Sequence, residues 1–399
     1  MKMNSKVLTI GLIVGLVVGL IAGYAVTLPR INELEGRVSA FQSKISELES
    51  QISASQSKIS ELEEMMPRTI IIRDSLGRNV TIPYPLRKVV VINPSAAEVI
   101  RALNMTHTVV GVSGSISRNP AYWPELSKKP AVCEFAHDKP NYEVIFALNE
   151  TVGGIDAVIE YGVHPAVRRF FGEMVETLAP IPVIGIDCYR FETLYSDIET
   201  LGIMFGRKSA ADELIEFFEN ISNVVESKVS GIPDEEKVRV YFEHHGGDYL
   251  TGTRISAIGK MITKAGGKNV FGKVRGYYIT ISPEDLIKNN PQVILKDSRG
   301  VLGYNITDSA PIQAYLDELY ARAERDGWNG VDAVANNKTY LLSEYLSAGP
   351  KKCIAVVYIA KMLYPELFAD VDVEVFLKEY FERFQHVPYV GIFVYPSPW

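Results

Sequence analysis

SAADELIEFFENISNVVESKV, residues 209–229, reads as one long helix. Apolar residues recur at Leu214, Phe217 and Phe218, Ile221, Val224 and Val225, and Val229, which puts them on one broad face. Ser209 is suited to cap the N-terminus, Asp212 stands at the third position of a capping box, and Gly231-Ile-Pro233 stops the helix. At a rise of 1.5 Å per residue it is roughly 31 Å long, about the width of a small domain. Short apolar strands alternate with helices before it, and the alternation restarts at Val238. A single helix between two such runs predicts two α/β lobes with a cleft between them, where ligands settle.

Working outward, 399 residues exceed what one core usually holds. An apolar content of 47% and a charged content of 22% are ordinary for a globular chain, and a net charge of -7 argues against nucleic acid as a partner. Cys133, Cys188 and Cys353 are far apart, form no zinc or CxxC pattern, and read as buried inert thiols. Sequons at Asn79, Asn104, Asn149, Asn220, Asn305 and Asn337 fit an exported chain.

Lys2 and Lys6 precede the uncharged apolar run Val7–Leu28, which is long enough to span a hydrocarbon layer of ~30 Å. Lysines on that side predict a cytoplasmic N-terminus and an external remainder. Gly11, Gly15, Gly19 and Gly23 share one helix face, as in packed membrane helices and also in membrane helices generally. Residues 31–66 then follow a heptad. Ile31, Leu34, Val38, Phe41, Ile45, Leu48, Ile52, Ile59, Leu62 and Met66 take the a and d positions, with Ser55 the polar exception. QSKISELE occurs at 42–49 and again at 56–63. This predicts a coiled-coil stalk, an oligomer through its seam, ended by Met66-Pro67. The expected division is an anchor at 1–29, a stalk at 30–67, a first lobe at 68–208, a joining helix at 209–231 and a second lobe at 232–399.

In the first lobe a hairpin around Asp74-Ser-Leu-Gly77 precedes strands at Val89–Ile92, Val109–Val112, Ala157–Glu160 and Val183–Ile186. In the second, strands are expected at Val238–Phe242, Val293–Leu295 and Tyr340–Leu342. Intervening helices imply mostly parallel sheets covered on both faces, the doubly wound arrangement of a Rossmann-like lobe.

Two segments echo each other. NYEVIFAL (141–148) precedes the strand at Asp156–Ile159, and SPEDLIKNNP (282–291) precedes the strand at Gln292–Leu295. Each opens a short helix with a capping residue and sets a glutamate, Glu143 or Glu284, at the second position. Asp285 already fills the capping role in the second, which leaves Glu284 free to face outward.

These pieces resemble a known family, the solute-binding proteins of ABC importers for ferric siderophores, haem and cobalamin. The likeness covers roughly residues 70–385. It is carried by RDSLGRNVTIP (73–83), RKVVVINPSAAEVIRAL (87–103), VVGVS (109–113), NYEVIFALN (141–149), DAVIEYG (156–162), AADELI (210–215), KAGGKNVF (264–271), ISPEDLIKNNPQVIL (281–295) and WNGVDAVANNKTYLL (328–342), in that order. The resemblance implies two lobes joined by one rigid helix and no catalysis. It implies a partner permease dimer with ATPase subunits, and permease contacts at Glu143 and Glu284. It gives Glu98 a structural role. It also implies an extracytoplasmic location and a metal chelate, haem or corrinoid as cargo, with no intrinsic cofactor.

Ligands in such folds lie beyond the C-terminal ends of strands. That rule selects Asn93 and Ser95, Ser115 to Trp123, Glu160-Tyr161 and Tyr189-Arg190 on the first lobe. It selects His244, His245, Tyr249, Arg275 to Tyr278, Lys296, Arg299 and Glu344-Tyr345 on the second, with His137 before the Glu143 helix. Arginine pairs with carboxylates, Tyr and Trp stack on flat rings, and Tyr or His completes an iron or cobalt shell. The expected ligand residues are Tyr122, Trp123, His137, Tyr161, His245, Tyr278, Arg299 and Tyr345; no metal-ligand set is assigned. A bare transition metal or an oxyanion as cargo, and a membrane-anchored sensor or scaffold without transport, stay open as alternatives. Enzyme signals fail on inspection: Gly267–Gly272-Lys273 lacks the Ser/Thr of a phosphate loop, with Val274 in its place, and adjacent His244-His245 cannot share a helix face.

Overall fold

The computed structural model describes residues 5–65 and 69–398, and within the first helix it describes side chains at 14–20, 23 and 35–59. That helix, Ser5–Met65, forms one unit, and the part after residue 67 forms another. The helix runs unbroken across Pro29, so the boundary expected at 29/30 is not a break in the backbone. Among the described residues no helix is long and apolar enough to cross a membrane. Most side chains of the anchor expected over Val7–Leu28 lie outside the described residues, as does Met66-Pro67.

The globular part opens with an antiparallel hairpin, Thr69–Arg73 with Asn79–Pro83. Asp74 makes its turn: one carboxylate oxygen accepts from the backbone N–H of Leu76 and of Arg78, the other from the Arg78 guanidinium at 2.6 Å. Arg78 also donates to the Val183 carbonyl, which ties the hairpin to the first sheet. That sheet runs in the order Val109–Val112, Val89–Val91, Ala157–Glu160, Val183–Gly185, all parallel and nearly all buried. Burial on both faces is why these strands read as unbroken apolar runs. The second sheet runs Val394–Tyr395, Thr339–Leu342, Val293–Asp297, Arg239–Glu243, Lys268–Asn269, parallel except for the first pair.

The joining helix is Lys208–Val229. Its buried face, Ala211, Leu214, Phe217, Phe218, Ile221, Val225 and Val229, is the one read from the spacing, with Val224 at the margin. Its start differs from the expectation. Arg207 occupies the cap position and no side chain caps it among the described residues, so Ser209 lies inside the first turn. The cause is the tight connection from the preceding helix, Leu194–Met204: Gly206 takes φ +64 and the Arg207 N–H bonds back to Gly202. A Cβ at Gly202 would come within 2.5 Å of Ala211, so the close approach of the two helices requires glycine there.

The joining helix packs on Leu194–Met204 on one side and on Lys352–Leu363 on the other. One continuous core therefore runs from the first sheet through this helix into the second, and the halves are not separate bodies on a bar. The C-terminal segment strengthens the link. Phe384 and Tyr380, in the π-helical turn Tyr380–Phe384, meet Phe217 at ring distances of 4.9 and 6.4 Å. Lys351 and Tyr380 bond the buried Glu98 of helix Pro94–Ala102 at 2.5 and 2.7 Å.

Candidate functional site

The strands of both sheets end on one side in loops, and those loops enclose a cleft of about 490 Å³. The first half contributes Ser95 and Glu98, Ser115, Asn119, Tyr122 and Trp123, Phe135 to Asp138 and Tyr161; the second contributes Arg299, Glu344, Tyr345 and Lys351. Six of the eight expected ligand residues line it: Tyr122, Trp123, His137, Tyr161, Arg299 and Tyr345. They differ in what they offer. Tyr122 and Trp123 are only 2% and 3% exposed. The Arg101 guanidinium lies 4.5 Å from one ring and 4.2 Å from the other, and Tyr304, Tyr345 and Phe381 close round Tyr122 edge-on. These two rings shape the wall and present no open face. The chemistry that faces the space comes from exposed His137, from Arg299 with its ion pair to Glu344 at 2.9 Å, and from the half-buried Tyr345, whose hydroxyl bonds Asn119 across the halves.

His245 and Tyr278 do not line this cleft. They stand with His244, whose ring is 4.0 Å from His245 and 4.6 Å from Tyr278. His245 Nδ1 is 2.7 Å from Asp297, and one nitrogen of each histidine and a carboxylate oxygen of Asp297 lie within 4.8 Å of one another. Lys296 and Tyr249 do not line the cleft either. Lys296 holds the buried Glu243 at 2.8 Å, and Tyr249 bonds Asp326 and receives a bond from Trp328.

Two residues escaped the sequence reading. Asp297 ends the strand that yielded Lys296 and Arg299, and only its neighbours were selected. His164 follows the strand that yielded Tyr161. Its ring stacks on His137 at 4.1 Å with 7° between planes, and Tyr161 and Tyr189 flank the pair. This partition separates the cleft from a second hollow of about 470 Å³, lined by His164, Tyr189, Arg190, Glu192, Lys260 and Tyr277 from both halves. Parallel rings hold their nitrogen lone pairs in parallel planes, so His137 and His164 form a flat polar wall and cannot converge on one ion.

Both rings are harder to protonate than a free imidazole. Burial lowers the His137 pKa; Asp138 opposes the shift and Arg299 reinforces it. Burial, then the positive fields of His137 and Lys352, take His164 from 6.5 down to about 4. His164 also caps helix Pro165–Leu178 by accepting from the Ala166 N–H at 3.3 Å, a bond a protonated ring cannot make. A histidine whose pKa falls on folding binds its proton more readily in the unfolded chain. Stability is therefore expected to fall as pH drops from 6.5 towards 4. Thermal melts should show that slope, flatter in His164→Asn, which keeps a cap and lacks the titration; equal slopes in the two proteins would refute the assignment.

The family model described as periplasmic binding protein matches residues 170–346. The chain is 25% identical over 352 residues to the molybdate-binding protein MolA of Haemophilus influenzae, a match covering 80% of this chain and 92% of that protein. It is 30% identical over 159 residues to the haem uptake system protein IsdE of Staphylococcus aureus, a match covering 39% of this chain and 51% of that one. The crystal structure of the TroA-like periplasmic binding protein FepB from Veillonella parvula is similar in fold, with a TM-score of 0.70 and 27% identity over 82% of this chain and 99% of that one. With two mostly parallel sheets, one joining helix and a cleft at the strand ends already in view, these likenesses agree: residues 170–346 match the periplasmic binding protein family, and the chain is similar along most of its length to solute-binding proteins of ABC importers.

Proposed function

We propose that this protein captures a metal chelate, of the ferric siderophore, haem or corrinoid class, in the cleft between its halves and delivers it to a permease dimer driven by ATPase subunits. The observation that carries the reading is the convergence of His137 and Tyr161 from one sheet with Arg299 and Tyr345 from the other on a single space. A second hollow of similar size beyond the histidine wall suits a bulky, flat or branched ligand better than a small one. Relatives named for haem and for molybdate support a metal-containing solute. Glu143 and Glu284 are the permease contacts. The globular part works outside the cytoplasm, held by the apolar run at 1–29 and raised by the stalk at 30–67.

A thermal-shift panel of ferric chelates, haem and cobalamin tests the cargo. One of them is expected to raise Tm by several degrees, and no shift with any would overturn the reading. With that ligand, His137→Ala and Arg299→Ala should each weaken binding about tenfold, the loss of roughly 1.4 kcal/mol that one hydrogen bond to a charged or metal-bound group supplies. Unchanged Kd in both would place the ligand elsewhere.

A second reading, a bare transition metal as cargo, rests on His244, His245 and Asp297. Two features weigh against it. His244 Nδ1 already accepts from the Gly246 N–H at 3.0 Å, which leaves its proton on the other nitrogen. The charges of Lys296 and Arg299 also bear on that ring. Elemental analysis of protein purified without chelators decides: one equivalent of metal, lost in His245→Ala, would favour the bare ion.

A further inference from the structure

The helix Ser5–Met65 carries an apolar stripe that nothing in its own unit covers among the described residues. Val38, Phe41, Ile45, Leu48, Ile52 and Ile59 are each 45–64% exposed, at alternating spacings of three and four that skip only Ser55. We propose that this stripe is the seam of a parallel, in-register, two-stranded coiled coil with a second copy of this chain. The proposal deepens the stalk assigned above, and it holds whatever the solute is.

Three features select this partner and this arrangement. The first is the shape of the seam. Every a position from 31 to 59 is β-branched: Ile31, Val38, Ile45, Ile52 and Ile59. The d positions are Leu34, Phe41, Leu48 and Leu62, with Ser55 the one small polar residue. β-Branched a with leucine-like d is the combination that fits two parallel strands, because side chains at the two positions enter the facing holes at different angles.

The second feature is charge. Basic residues occupy g at Arg37, Lys44 and Lys58, and acidic residues occupy e at Glu35, Glu49 and Glu63. In a parallel in-register pair, g of one strand faces the following e of the other, so Lys44 meets the second copy's Glu49 and Lys58 its Glu63. In an antiparallel pair g faces g and e faces e, which would set basic against basic and acidic against acidic. The same charges therefore reward one orientation and penalise the other. The third feature is availability. Lys44 now reaches Glu47 on its own helix at 2.8 Å, and both side chains are more than half exposed, so turning Lys44 to the partner desolvates little. The consequence is two copies of the globular part tied together through one stalk.

The test uses the full chain in non-ionic detergent. Light scattering should give a two-chain mass. Val38→Cys and Ile59→Cys, oxidised mildly in separate samples, should each cross-link to themselves, since identical a positions meet in register. Ser39→Cys, on the outer face, should not, and the unsubstituted chain controls for its own cysteines. A one-chain or three-chain mass, or cross-linking of position 38 to position 59 in a mixture, would overturn the proposal. Lys44→Glu with Lys58→Glu should weaken dimerisation at least about tenfold, as should Glu49→Lys with Glu63→Lys, and mixing the two variants should restore pairing. If both variants pair with themselves as tightly as the parent does, the charge argument fails. A cargo panel in which nothing binds would leave all of these results standing.

Discussion

Reversing Glu143 and Glu284 together, each to arginine, is expected to abolish solute uptake while leaving solute affinity within about twofold of the parent. The expectation rests on how each carboxylate is held. In helix Tyr142–Val152, Asn141 caps the N-terminus by accepting from the N–H groups of Glu143 and Val144. In helix Pro283–Asn289, Ser282 and Asp285 cap each other reciprocally at 3.1 Å. Neither helix needs the glutamate at its second position, and both glutamates are exposed. Reversal replaces a favourable helix-dipole interaction with an unfavourable one, about 0.6–2 kcal/mol at each site, so the variant stays folded. If Glu143 and Glu284 are the permease contacts proposed above, their partners carry positive charge, and like charges at two points would cost several kcal/mol, enough to reduce delivery by more than about a hundredfold. Uptake by vesicles holding the permease and ATPase, measured beside calorimetric Kd, separates the outcomes. A Kd that worsens in step with uptake would move both residues into the ligand site, and uptake at parental rates would remove them from the permease contact.

Much of this was legible because it is local. The apolar face of residues 209–229, the runs at Val89–Val91 and Val293–Asp297, and the capping box at Ser282 each carry their signal within one element. The rule that loops after parallel strands bind ligands brought six expected residues to one cleft, and applied further along the same loops it would have found His164 and Asp297. Short strands were less legible. Leu250–Gly252, Lys268–Asn269 and Val394–Tyr395 are two or three residues long, and partners distant in sequence define them. The start of the joining helix was misplaced because serine is a good cap in general, while a glycine-closed connection here leaves no room for one. The burial of Tyr122 and Trp123 was invisible for a related reason: Arg101, Tyr304 and Phe381, which enclose them, come from helix Pro94–Ala102 and from nearly 200 or more residues downstream.

The largest stability effect is expected where that distant return is tightest. Lys351 and Glu98 are both buried, paired at 2.5 Å, and 253 residues apart in sequence. Glu98 also accepts from the Tyr380 hydroxyl at 2.7 Å, and next to it Arg101 donates to Gln385 at 2.8 Å. Burial lowers the Lys351 pKa, and the Glu98 carboxylate beside it opposes that shift. Lys351→Met leaves a carboxylate buried and uncompensated, at a cost of about 3–5 kcal/mol. For a unit of this size that corresponds to a fall in Tm of roughly 4–7 °C. Glu98→Gln with Lys351→Met removes both charges and keeps an acceptor for Tyr380, so most of the loss should return. If the single and the double variant melt together, the cost lies in packing around Lys351 and not in an orphaned charge. Because the pair also floors the cleft between the two halves, breaking it should loosen their relation. Hydrogen exchange in Pro94–Ala102 and Tyr380–Phe384 should then rise together in Lys351→Met, and exchange that rises at only one of them would show that the pair stabilises its own neighbourhood without joining the halves.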